Sequence, residues 1–146
     1  AILTTLAPGG YTAQISSGMG SAGVGLIEIY DLTAATAGQN LVNLSTRTKI
    51  TYVGDSFALG FNIGPLTSTD RATLLIRGIG PALSRFGVST AIGAPRLEIN
   101  DSAGRLIASN ERWNAPGGTV TARNTPPHGA EFVIELPVRT SDHPPA

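Results

Sequence analysis

Val24-Gly25-Leu26-Ile27-Glu28-Ile29-Tyr30-Asp31-Leu32 is the stretch that decides the fold class. Successive side chains of an extended chain point to opposite faces, so Ile27 and Ile29 share one face while Glu28 and Tyr30 share the other. Asp31 closes the segment with turn chemistry. Arg96-Leu97-Glu98-Ile99-Asn100-Asp101 has nearly the same form and runs into the turn Ser102-Ala103-Gly104, with a further strand expected over Arg105 to Ser109. These two echoes are strand chemistry, too short to establish an internal repeat.

Outward from there, the same short extended segments recur between clusters of Gly, Pro, Asn and Asp. Upstream, Tyr11 to Ser16 alternates with period two behind the turn signal Pro8-Gly9-Gly10, and Ile2 to Leu6 is expected as its hairpin partner. Downstream lie Leu41 to Ile50, Ser56 to Ile63 and Ala72 to Ile79. The last contains Leu74-Leu75-Ile76 and reads as a central strand with apolar neighbours on both faces. Gly78, Gly80 and Pro81 end it, and Pro81 to Phe86 suits one short helical turn because proline fits the first helical position. Thr119 to Arg123 and Glu131 to Val138 are the final two strands. About ten short strands at a spacing of roughly 8 to 12 residues predict an all-β fold, an antiparallel β-sandwich, with closure into a barrel as the alternative.

With 146 residues, the chain is long enough to close one core without metal or disulfide staples, and residues 1–140 read as a single domain. Thr33 to Asn40 is small and polar and reads as a linker; residues 141–146, with Asp142-His143-Pro144-Pro145, read as a frayed tail. Ten basic and ten acidic residues cancel and are scattered, which argues against nucleic acid as a partner and favours self-association. No cysteine is present, which excludes thiol catalysis and thiolate metal sites. No apolar run approaches the roughly 20 residues of a membrane-crossing helix, so no membrane partner is expected.

Residues able to carry chemistry are few. His128 follows Pro126-Pro127 and His143 lies in the tail, and neither belongs to a spaced ligand set, so no metal and no cofactor is expected. Glu28, Asp31, Glu98, Asp101, Glu131 and Glu135 are candidates for a carboxylate pair, but their positions in the alternation suit solvated strand faces and turns. Gly54-Asp55-Ser56 and the glycine-flanked Ser21 lack the nucleophile-elbow pattern, and Gly78-Ile79-Gly80 lacks the third glycine of a phosphate cradle. No catalytic residue is assigned. Aromatic platforms remain, since a sugar ring stacks its C–H face on Trp or Tyr: Trp113, Tyr30, Tyr11 and Tyr52 are the candidate ligand-binding residues.

Several motifs carry a resemblance. They are Leu3-Thr4-Thr5-Leu6-Ala7-Pro8-Gly9-Gly10-Tyr11-Thr12-Ala13, Gly25-Leu26-Ile27-Glu28-Ile29-Tyr30-Asp31, Leu41-Val42-Asn43-Leu44-Ser45-Thr46-Arg47, Leu75-Ile76-Arg77-Gly78-Ile79-Gly80-Pro81-Ala82-Leu83 and Gly104-Arg105-Leu106-Ile107-Ala108-Ser109-Asn110. Over residues 1–113 the chain resembles a repeat module of large secreted bacterial surface proteins. The resemblance implies an immunoglobulin-type sandwich, an extracellular or cell-surface location, and no transferable catalytic residue. It also implies that residues 1–32 correspond to the end of one module and residues 41–114 to the start of the next. Packing of 1–32 in its own chain makes a circular permutant; packing in a neighbour makes a strand-exchanged dimer or filament.

Gly117-Gly118-Thr119-Val120-Thr121-Ala122-Arg123-Asn124 with Gly129-Ala130-Glu131-Phe132-Val133-Ile134-Glu135-Leu136-Pro137-Val138 is similar to the last hairpin of a sensor histidine kinase ATP-binding domain. None of that family's nucleotide-binding boxes has a counterpart upstream, so the resemblance implies no ATP binding. It implies a seam at Ala115 to Gly118, with residues 117–138 a chimeric closing hairpin that supplies strands to the module. The resulting expectation is a non-catalytic extracellular module for adhesion or assembly, homo-oligomeric, with a polysaccharide or surface protein as partner. The alternatives are a carbohydrate-binding module using the exposed aromatics and a small hydrolase or metal-assisted enzyme around His128.

Overall fold

The computed structural model describes residues 1–18, 22–33, 43–52, 54–64, 71–111, 119–124 and 130–135. The chain divides into two compact units, Ala1–Arg112 and Trp113–Ala146.

The first unit is a β-sandwich of two four-stranded antiparallel sheets. Its strands are β1 (Ile2–Leu6), β2 (Gly9–Ser17), β3 (Gly23–Asp31), β4 (Leu44–Ile50), β5 (Ser56–Ile63), β6 (Ala72–Ile79), β7 (Pro95–Asp101) and β8 (Leu106–Asn110). One sheet runs β1-β6-β3-β4 and the other β5-β2-β7-β8. They stack with β1 over β8, β6 over β7, β3 over β2 and β4 over β5. In the second unit β9 (Thr119–Asn124) and β10 (Ala130–Glu135) pair with each other as a two-stranded sheet, Ala130 opposite Asn124 and Glu135 opposite Thr119. The sandwich therefore takes eight strands from the first 110 residues; the closing hairpin, expected to add strands to it, pairs only with itself among the described strands.

Alternation places the core as expected. Ile27 and Ile29 point inward from β3, and Leu74 and Ile76 from β6; Ile15 and Ala13 face them from β2, and Leu97 and Ile99 from β7. Ile2, Leu6, Ile50 and Ile92 complete one continuous cluster of twelve buried side chains. β6 is interior to its sheet, between β1 and β3, as its apolar run predicts. The helical turn at Pro81–Phe86 is a 3-10 helix that buries Leu83 and ends at Gly87, whose φ of 80° suits the left-handed C-cap. The segment after it returns to the sandwich: Val24 N–H donates to Thr90 O at 2.6 Å and Ile92 N–H to Val24 O at 3.0 Å, so Ile92 seals one end of the core.

One local expectation is corrected. Ile2–Leu6 is not the hairpin partner of β2: it pairs with β6, Ile2 opposite Ile76 and Leu6 opposite Ala72, in the other sheet. The Pro8-Gly9 turn carries the chain across the sandwich instead of back along one sheet. β2 then lies between β5 and β7, and β3 between β6 and β4, so residues 1–32 complete the sheets within their own chain.

Counted cyclically from β4, the strands nest: first with eighth (β4·β3), second with seventh (β5·β2), third with sixth (β6·β1) and fourth with fifth (β7·β8). This is one long hairpin rolled into two layers, the jelly-roll arrangement. In an immunoglobulin sandwich the first two strands share a sheet, whereas here β4 and β5, first in the cyclic order, lie in different sheets, as do β1 and β2. The immunoglobulin-type expectation carries over as far as the two antiparallel layers.

Candidate functional site: the β1 and β8 edge

A sheet edge presents unpaired backbone N–H and C=O groups to any strand that can approach. On one side of this sandwich the two edges are β1 and β8, stacked over one another. Neither Ile2-Leu3-Thr4-Thr5-Leu6 nor Leu106-Ile107-Ala108-Ser109-Asn110 contains a charged residue. Leu3 is 47% exposed and Leu106 50% exposed, which places two large aliphatic side chains on this edge. A bulge at Ile99 and Asn100 leaves Ile107 without a partner on β7 and interrupts the β8 ladder. β1 has no such interruption, since all five residues pair in register with β6. The opposite edge of the same sheet is different: β4 presents exposed Arg47 and Lys49 on its outer side, the usual way of blunting an edge.

Beside β1, the outer face of its sheet carries the row Leu3, Leu75 and Tyr30, each opposite the next in register. The next row pairs Arg77 with Glu28 across β6 and β3 at 3.3 Å. Tyr30 thus belongs to a mixed surface continuous with the edge. The outer face of the second sheet is small and polar: Gln14 Nε2 donates to Ser56 Oγ at 2.7 Å, and Arg96 bonds Glu98 at 2.7 Å.

The tyrosines expected to bind ligand do not converge. Tyr11 faces inward, stacks on Phe61 with ring centroids 5.8 Å apart, and donates its hydroxyl to Ala7 O at 2.9 Å, which fixes the crossing from β1 to β2. Tyr52 is 65% exposed in the β4–β5 turn, beyond the Ile50 and Gly23 end of its sheet, while Tyr30 lies toward the other end of β3. Trp113, His128 and His143 lie outside the described residues, as do Ser21 and most of the expected linker.

Three of the acids are turn caps. Asp55 accepts from the Thr51 N–H at 2.8 Å, the Thr51 hydroxyl at 2.9 Å and the Ser56 N–H at 2.9 Å. The Thr51 N–H foremost, then its hydroxyl, hold the Asp55 carboxyl below its ordinary value. Asp101 accepts from the backbone of Ala103 and Arg105 and from the Arg105 side chain, and the Arg105 N–H is the main cause of its lowered pKa. Asp31 accepts from the Thr33 N–H at 2.9 Å in the same manner. Glu28 and Glu98 stand on the outer faces of different sheets. Among the described residues no three His, Asp or Glu side chains gather as metal ligands. Sequence reasoning missed the edge; its signal was the absence of charge in residues 2–6 and 106–110, visible only once these strands are known to be edges. Comparison with protein-family models, curated proteins and solved structures finds no match.

Proposed function

We propose that this chain is a non-catalytic binding and structural module that works by assembly or adhesion, with the β1 edge as its contact surface. The observation that carries the reading is the contrast between the edges of one sheet: β1 uncharged, in unbroken register and flanked by exposed Leu3 and Leu106, β4 guarded by Arg47 and Lys49. A second copy fits this edge. Two β1 strands running antiparallel would extend the sheet about a two-fold axis, an isologous contact, and a formal net charge of +0 opposes it little. The extracellular setting is what the resemblance of residues 1–113 supports.

Light scattering of the purified chain at micromolar concentration tests this reading. The expected result is a dimer or larger assembly that Leu3→Lys converts to monomer, because an ammonium at the edge must be desolvated for a strand to dock. A wild-type chain that stays monomeric throughout that range contradicts assembly through β1.

A further inference from the structure

Residues 1–31 and residues 44–110 cannot close a sheet separately. Six neighbour pairs hold the two four-stranded sheets, and five of them, β1·β6, β3·β6, β3·β4, β2·β5 and β2·β7, join one block to the other. Only β7·β8 lies inside a block. The core divides the same way: six of the twelve clustered side chains come from residues 1–31 and six from residues 44–110. Losing half of these buried side chains removes more apolar burial than the small net stability of a domain can spare, so neither block holds its fold without the other.

Each block is a template for the other, and nothing in the pairing requires both to come from one chain. The pairing is also remote in sequence: Ile2 meets Ile76 and Leu6 meets Ala72. Long-range closure is slow, which gives an equivalent block on another chain time to compete. The link between the blocks is long for what it joins. Twelve residues, Leu32 to Asn43, separate β3 from β4, although these strands are neighbours that a hairpin loop of about 2–5 residues would connect. Twelve extended residues reach about 40 Å, enough to enter an adjacent sandwich.

We infer that the chain exchanges residues 1–31 with a second copy of itself. The product is a dimer of two complete sandwiches, each made of β1–β3 from one chain and β4–β8 from its partner. Every ladder and core contact is kept; only the course of the link changes. The exchange uses different groups from the edge contact proposed above, and the two are separable.

Full-length Thr5→Cys and full-length Thr73→Cys test it, in a chain that has no cysteine of its own. Thr5 and Thr73 are opposite in register, with their hydroxyl oxygens 3.1 Å apart on the exposed face, a separation suited to a disulfide. The two variants are unfolded, mixed, refolded and oxidised, and the linked positions are read by mass spectrometry. Exchange predicts an interchain disulfide between positions 5 and 73. At low occupancy, its share rises about tenfold for a tenfold rise in refolding concentration, as bimolecular association requires. It persists when both variants also carry Leu3→Lys, which removes the edge contact. Monomers alone, or only 5–5 and 73–73 linkages, overturn the exchange and leave the edge reading to its own test.

Discussion

Ile92 has no solvent exposure, and the glycines around it are what let it in. A Cβ on Gly80 would collide with the Ile92 backbone oxygen, and one on Gly23 would stand 2.7 Å from the Ile92 nitrogen. Gly25 and Gly78 do the same for Ile15, whose Cδ1 would lie 3.4 Å from a Cβ on the first and 3.2 Å from one on the second. These glycines are packing features: backbone and side chain share space that a methyl group would fill. Gly60 is the contrast, on the outer side of β5 with nothing within 4 Å of a Cβ. Urea unfolding should therefore show Gly80→Ala destabilised by about 1–3 kcal/mol or more, through overpacking against backbone. Gly60→Ala should be unchanged or stabilised by up to about 1 kcal/mol, through the lost flexibility of the unfolded chain. Equal effects at the two positions would contradict the packing described around Ile92.

Elements were legible in the sequence where their signals were local. Period-two alternation located β2, β3 and β7 because burial of one face requires it, as Ile27 and Ile29 against Glu28 and Tyr30 demonstrate, and the apolar run Leu74-Leu75-Ile76 located β6. Asp31 and Asp101 read as turn residues and cap turns, since a short carboxylate can accept N–H groups from residues just beyond it. The partner of β1 was not legible. Pro8-Gly9-Gly10 announces a change of direction, and that signal is the same for a hairpin as for a crossing between sheets; the difference rests on contacts with Ala72 to Ile76, far along the chain. The candidate site shared that fate, because an uncharged strand is unremarkable until its place at an edge is known. The turn caps also set an acid dependence. Folded Asp55 and Asp101 titrate below their ordinary value, so the stability they add is present above the unfolded carboxylate pKa of about 3.9 and is lost as pH falls through their folded values. The Asp55→Asn, Asp101→Asn double variant should unfold at lower urea than the parent at pH 7, with the gap closing below about pH 4. A gap that stays constant down to about pH 2 would contradict these two caps as the source.

At the scale of the molecule, two layers are assembled almost wholly from remote pairs: β3·β4 and β7·β8 alone join strands that follow one another in sequence. That nesting makes residues 1–31 half of the core, and it leaves β1 and β8 as the stacked edges on one side of the sandwich. The proposed assembly through the β1 edge and the proposed exchange of the first three strands both rest on it. The most direct test is the placement of β1 by cross-strand nuclear Overhauser effects in the isotope-labelled chain. Contacts between the backbones of Ile2–Leu6 and Ala72–Ile76, together with contacts from Ala13 to both Leu59 and Ile99, are the predicted result. Contacts between Ile2–Leu6 and the opening residues of β2, the pattern of a simple hairpin, would contradict it.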